Sequence, residues 1–107
     1  RDVDLQFDVR HLPNPYFVSG LREKTGADRA VVKFLREQAE VRETIKRFSD
    51  LLLYLLPQYQ SEGKAYLTIA VGCTGGKHRS VMVANELDRI IAKGGFKTSV
   101  SHRDMQK

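Results

Sequence analysis

Ala65-Tyr66-Leu67-Thr68-Ile69-Ala70-Val71-Gly72-Cys73-Thr74-Gly75-Gly76-Lys77-His78-Arg79-Ser80 is the stretch on which the reading of the fold turns. Residues 66–71 form a short, nearly continuous apolar run rich in β-formers, the pattern of a buried central strand. Gly72, Gly75 and Gly76 follow, where the backbone must turn sharply or come close to a ligand. After Lys77, His78 and Arg79 a helical pattern begins at about Ser80. A strand, a glycine turn and a helix N-terminus together make a ready anion site. Free backbone N–H groups point outward there, and the positive end of the helix dipole favours negative charge.

The spacing narrows the choice of anion site. A Walker A loop has four residues between its glycines and a Ser or Thr after its Lys. Here three residues separate Gly72 from Gly76, and His78 follows Lys77. Cys73, five residues, Arg79 and Ser80 do match the loop of cysteine-dependent phosphatases. The plain alternative is a tight strand-to-helix turn carrying solvated basic residues.

Working outward, the 107 residues suffice for one domain with a modest core. Hydrophobic residues at 41% and charged residues at 29% predict a globular fold rather than disorder. The longest apolar run, residues 51–56, is far too short to span a bilayer, and no secretory pattern opens the chain. No membrane partner is expected. The single Cys excludes an internal disulfide and suits a reducing, cytoplasmic compartment. Arg1 as first residue suggests excision from something longer. The +5 net charge, from 18 basic and 13 acidic residues, favours anionic partners such as nucleic acid or phosphorylated metabolites.

Val3, Leu5, Phe7 and Val9 alternate with Asp2, Asp4, Gln6 and Asp8, the period of a first strand. Asp8, Arg10 and His11 would stand at its carboxyl end. Residues 11–26 contain Pro13, Asn14, Pro15, Gly20 and Gly26 and read as a long loop, in which Tyr16 and Phe17 either serve function or cap the core. Asp28 is the expected N-cap of a helix through Val31, Val32, Phe34 and Leu35. A longer amphipathic helix follows, with Val41, Ile45, Phe48, Leu52 and Leu55 on one stripe. Residues 51–56 are apolar all round, so this turn is expected to be covered on every side, by the sheet or by a second subunit. Pro57 is expected to perturb or end the helix.

Past the glycine loop, Val81, Val83, Ala84, Leu87, Ile90 and Ile91 trace one helical face to Lys93, and Gly94-Gly95 is a stop. Phe96, Thr98 and Val100 then alternate with Lys97, Ser99 and Ser101, predicting a third strand that ends in His102-Arg103-Asp104. Strands joined by helices imply a parallel sheet in an α/β sandwich, with ligands beyond the carboxyl ends of the strands. The polar clusters fall at those ends. Arg10, His11 and Asn14 follow the first strand, residues 73–79 the second, and His102-Arg103 the third.

The same residues carry a resemblance. Phe7-Asp8-Val9-Arg10, Leu12-Pro13-Asn14-Pro15, Leu21-Arg22, Thr25-Gly26, the run Gly72-Cys73-Thr74-Gly75-Gly76-Lys77-His78-Arg79-Ser80-Val81 and His102-Arg103-Asp104 resemble the C-terminal domain of the RapZ (YvcJ-like) RNase adapter family. The similarity spans essentially the whole chain. Family members place an ATP/GTP-binding P-loop domain before this one; no Walker A spacing occurs here. The resemblance implies a non-enzymatic binding module that binds small regulatory RNA, presents it to a ribonuclease, senses glucosamine-6-phosphate and assembles as a homo-oligomer. It also implies a small parallel-sheet sandwich with flanking helices, similar to a phosphofructokinase subdomain. RNA-binding members end in a run of basic residues, whereas this chain ends Asp104-Met105-Gln106-Lys107. His11 stands where relatives often carry an aromatic residue.

The expected binders of a phosphorylated sugar are therefore Cys73, Thr74, Gly75, Gly76, Lys77, His78, Arg79, Ser80, Asp8, Arg10, Asn14 and His102. Arg79 offers a planar fork and Lys77 a point charge for phosphate oxygens. Arg10, Lys77 and Arg103 are the expected RNA contacts. No Cys/His spacing suggests a metal, and no cofactor is expected. Cys73 separates the two functional classes. A phosphatase would use it as a thiolate nucleophile beside Arg79 and would need a general acid, for which Asp8 and Asp104 are candidates.

Overall fold

The computed structural model describes residues 3–74 and 76–102. Strands β1 (Leu5–Asp8) and β2 (Ile69–Gly72) pair in parallel, with Leu5 opposite Ile69 and Asp8 opposite Gly72. Parallel neighbours require a long crossover. Here it contains a 3-10 turn (Pro15–Phe17), helix α1 (Arg29–Arg36) and helix α2 (Ala39–Ser61). Helix α3 (Arg79–Lys93) leaves the end of β2. The α/β class and parallel pairing expected from the sequence are present.

The core lies between the sheet and the helices. Val9, Leu12, Leu21, Val31, Leu35, Val41, Ile45, Leu52, Met82, Val83, Leu87 and Ile91 are buried together. On α2 the buried positions Val41, Ile45, Ser49 and Leu52 recur at helical spacing. Phe7 of β1 stacks on Phe48 of α2, with ring centroids 4.0 Å apart. The start of the sheet is tied by Asp4, whose Oδ2 accepts from the Thr68 amide at 2.8 Å while Lys64 Nζ lies 3.1 Å from Oδ1.

Several local expectations change. The second strand starts at Ile69 rather than Tyr66, because the partner strand begins only at Leu5; Tyr66 is left 85% exposed. Its residues are half-buried, not fully buried, since two strands make up the sheet among the described residues. No third strand forms over residues 96–102. Phe96 packs against the core, but Val100 is exposed, so the alternating pattern has one anchor and no described strand beside it.

Helix α2 continues through Pro57 to Ser61. The proline removes one backbone donor, while Leu53 and Leu56 pack on the core and hold the helix across it. Leu51 and Tyr54 are exposed, so the all-apolar turn is not covered on every side within the chain. Asp28 does precede α1, yet its carboxylate turns back to accept from the Thr25 amide at 2.6 Å. Helix α3 stops where expected: Lys93 is its last residue, Gly94 follows, and Gly95 takes φ +100.

Candidate functional site

Because Asp8 pairs with Gly72, the segments that follow the two strands emerge from one edge of the sheet. The Val9 amide extends the ladder by donating to the Gly72 carbonyl at 2.9 Å. Beyond that point, the start of α3 meets the backbone of residues 10 and 12 through Arg79. Gly76 in this loop has φ +66, a conformation that favours glycine.

Arg79, the first residue of α3, is only 4% exposed. Its Nη1 donates to the carbonyl oxygens of Arg10 at 2.8 Å and Leu12 at 3.1 Å. The guanidinium thus ties the segment after β1 to the helix after β2. Its buried Nε has no hydrogen-bond partner among the described residues. His78, 6% exposed, is a second tie, with Nε2 3.1 Å from the Leu21 carbonyl. A third is backbone: the Gly26 amide donates to the Lys77 carbonyl at 2.7 Å. A side chain at Gly26 has no room, since a Cβ would lie 2.2 Å from the His78 carbonyl oxygen and 2.5 Å from the Met82 nitrogen.

Cys73 is half-buried, and its Sγ accepts from the Ser80 amide at 3.3 Å, which caps one of the first-turn donors of α3. Ser80 itself is buried, Thr74 is exposed and Lys77 is half-buried. Arg10 is exposed and engaged with Asp8: its Nε lies 2.8 Å from Oδ2 and its own amide donates to Oδ1 at 2.9 Å. These bonds hold the Asp8 carboxyl below its ordinary range, the side-chain bond from Arg10 contributing most. The Arg10 pairing therefore favours the carboxylate form of Asp8 over the protonated one.

The remaining candidates lie around this edge in other roles. Asn14 Oδ1 accepts from the Tyr16 amide at 3.0 Å and caps the 3-10 turn. His102 bonds to the middle of α3 rather than ending a strand at the site, its Nε2 lying 2.9 Å from Asn85 Oδ1. Asn85 is six residues beyond Arg79, roughly 9 Å along the helix. His11 Nε2 lies 3.1 Å from Thr44 Oγ1. Gly75, Arg103 and Asp104 lie outside the described residues. Among the described residues no three of His, Cys, Asp and Glu gather as a metal-binding set.

The family model of the RapZ C-terminal domain matches residues 1–106. The chain belongs to the RapZ C-terminal domain family. It is 54% identical over 106 residues to a nucleotide-binding protein of Koribacter versatilis, covering 99% of this chain and 34% of that one. It is 49% identical to a nucleotide-binding protein of Caldicellulosiruptor saccharolyticus, covering 99% of this chain and 36% of that one. It is 51% identical to one from Geobacter sulfurreducens, covering 99% of this chain and 37% of that one. The chain thus spans about a third of the length of these curated relatives.

For this RapZ-type domain, the tertiary structure adds contacts outside the expected site residues. The carbonyls of Leu12 and Leu21 receive the buried Arg79 and His78. Tyr16 and Phe17 meet edge-to-face at 5.3 Å, and the Arg22 guanidinium sits 4.5 Å from the Tyr16 ring centroid. Phe17 is 77% exposed. Of the two alternatives for this pair, capping the core is not what is observed, since neither ring joins the core cluster and Tyr16 is 45% exposed. Among the described residues, no helix is long and apolar enough to cross a membrane.

Proposed function

We propose that this domain is a binding module whose loop 73–79 takes the phosphate of a phosphorylated sugar, with glucosamine-6-phosphate the first candidate. The observation that carries this reading is the Asp8–Gly72 register, which aligns both strand ends with the N-terminus of α3. Backbone donors and a positive helix end then face one edge, as anion sites require. Lys77 supplies mobile charge. Arg79 acts from behind by fixing the two segments against each other, and its unpartnered Nε remains as a donor for an anion that reaches it. Thr74 adds a hydroxyl from the exposed side of the loop. Arg10, Lys77 and Arg103 would track the phosphates of a small regulatory RNA, which a homo-oligomer would present to a ribonuclease.

The relatives' name, nucleotide-binding protein, belongs to chains about three times as long. In this third of the length the loop lacks Walker A spacing, so we assign its phosphate to a sugar rather than to a nucleoside triphosphate. A cysteine-dependent phosphatase is the second reading, favoured by the Ser80 amide on Cys73 Sγ. Against it, Arg79 Nη1 is spent on two carbonyls, and the Asp8 carboxylate is already engaged by Arg10.

Calorimetry and amide chemical-shift mapping with glucosamine-6-phosphate, inorganic phosphate and glucosamine would decide. Binding of the two phosphates, with the largest shifts at residues 74–80 and none with glucosamine, is the expected result. Shifts confined to another face, or equal binding of glucosamine, would refute the proposal.

A further inference from the structure

A second charged feature lies well away from the glycine loop. Helices α1, α2 and α3 enclose a surface groove of about 400 Å³. Its floor is formed by Val41 and Ile45 of α2 and by Ile90 of α3. Val41 and Ile45 are one helical turn apart, and Arg42 and Lys46 repeat that spacing beside them on the rim. On α3 the groove's lining runs from Met82 to Ile90, three to eleven residues beyond Arg79, and it includes no residue of loop 73–79. This groove is therefore a different place from loop 73–79.

The rim is unevenly charged. Arg36 of α1 and Arg89 of α3 converge on a single carboxylate, Glu86, whose side chain is 13% exposed. Among the described residues Arg42 has no carboxylate bond; its Nη1 donates to the Arg36 carbonyl at 2.7 Å. Lys46 Nζ lies 2.9 Å from Asp50, outside the groove. The four cations thus face two carboxylates, one of them peripheral. The floor is narrow, because Val41 and Ile45 are already buried, so only one apolar side chain of a ligand can seat on it. Most of the attraction must come from charge, and the groove opens to solvent along the helices rather than enclosing a small molecule.

We propose that this groove docks an acidic segment of a partner protein, one apolar anchor side chain entering between α2 and α3 while flanking carboxylates meet Arg42, Lys46, Arg36 and Arg89. Charge complementarity selects a peptide rich in Asp and Glu over a neutral or basic one. The rim cations Arg42 and Lys46 stand one helical turn apart, a span that suits a short linear segment.

The test uses the 107-residue chain and three fluorescent peptides: Glu-rich with a central Phe, the same with Ala for Phe, and the same with Lys for Glu. Only the first should bind well, with amide shifts at Arg42, Ile45, Glu86 and Ile90. Arg42→Glu/Lys46→Glu should weaken it at least about tenfold. The double variant also loses the Arg36 carbonyl bond and the Lys46–Asp50 pair, so a thermal melt checks that it is folded, and saturating inorganic phosphate should leave the wild-type affinity unchanged. No binding, equal binding of the Lys peptide, or indifference to the charge reversal would overturn the proposal. So would tighter binding of a single-stranded RNA oligonucleotide through the same residues, or self-association of the chain that the peptide abolishes. Loss of phosphate binding at loop 73–79 alone would refute the proposed function without touching this groove.

Discussion

Arg79 Nη1 lies 2.8 Å from the carbonyl oxygen of Arg10, so a cation at the start of α3 holds the backbone that leaves β1. This bond joins positions 69 residues apart and is part-buried, its donor residue being only 4% exposed. Removing it strands two carbonyls and leaves a hole beneath the loop. Arg79→Ala should cost about 2–4 kcal/mol in urea unfolding, and Arg79→Lys should recover only part, since an ammonium cannot reproduce the fork. A loss below about 0.5 kcal/mol would mean that the tie contributes little.

Gly26 supports the same junction by its lack of a side chain. With backbone atoms at 2.2 and 2.5 Å from an added Cβ, Gly26→Ala must push the first turn of α3 away. A destabilisation of about 3 kcal/mol or more is expected. Gly63→Ala is the control. It has open space around it, though its φ of +83 still brings some backbone strain. Equal costs at the two positions would argue against the close approach.

Cys73 distinguishes binding from catalysis. Cys73→Ser keeps an acceptor for the Ser80 amide and should leave phosphate affinity within about tenfold, roughly 1.4 kcal/mol. Cys73→Ala loses that acceptor and should cost about 1 kcal/mol of stability. The wild-type chain should not hydrolyse a generic aryl phosphate. Turnover that depends on Cys73, with a thiophosphate trapped on it, would establish the phosphatase instead.

Acid should weaken the fold through carboxylates whose pKa values are lowered. Asp4 is held down chiefly by the Thr68 amide and Asp8 chiefly by Arg10, both from an ordinary value of 3.8. For Glu86 burial pushes upward, but hydrogen bonds from Arg89 and Arg36 outweigh it and bring it below 4.5. Each binds its proton more readily when unfolded. Their contribution is thus present above the unfolded value and lost as pH falls through the folded one. Glu86→Gln should cost about 1 kcal/mol at neutral pH, the exposure of both arginines limiting the effect, and should flatten the acid slope. An unchanged slope in urea titrations below about pH 4 would contradict this.

RNA binding, if it uses the strand ends, must be salt-dependent. Each phosphate contact on a single strand contributes about 0.7 to the slope of log affinity against log salt, so Lys77→Ala should lower that slope by about that amount. Arg10→Ala should do less, because Arg10 is already paired with Asp8. No binding of structured RNA at low salt would exclude these residues as an RNA surface.

Much of the chain's order follows from local patterns in the sequence. The apolar stripe of α2, the N-terminal side of α1 at Asp28, the end of α3 at Gly94-Gly95 and the strand-loop-helix order around Gly72 all depend on neighbours a few residues apart. The same holds for the glycine loop as a candidate site, because φ preference and helix polarity are local properties. What the tertiary structure decided is where distant partners exist. Residues 96–102 have a strand-like alternation yet no described strand to pair with, and Tyr66 lies beyond the reach of β1. Pro57 sits in a helix whose other residues are held by the core. Above all, Arg79 and His78 read as surface groups beside a loop, whereas in the fold both are buried and bonded to carbonyls 57 to 69 residues away. A local pattern states what a side chain can donate; only the packed chain supplies the acceptors, as the Arg10 and Leu12 carbonyls do for Arg79 Nη1, which offset the cost of burying its charge.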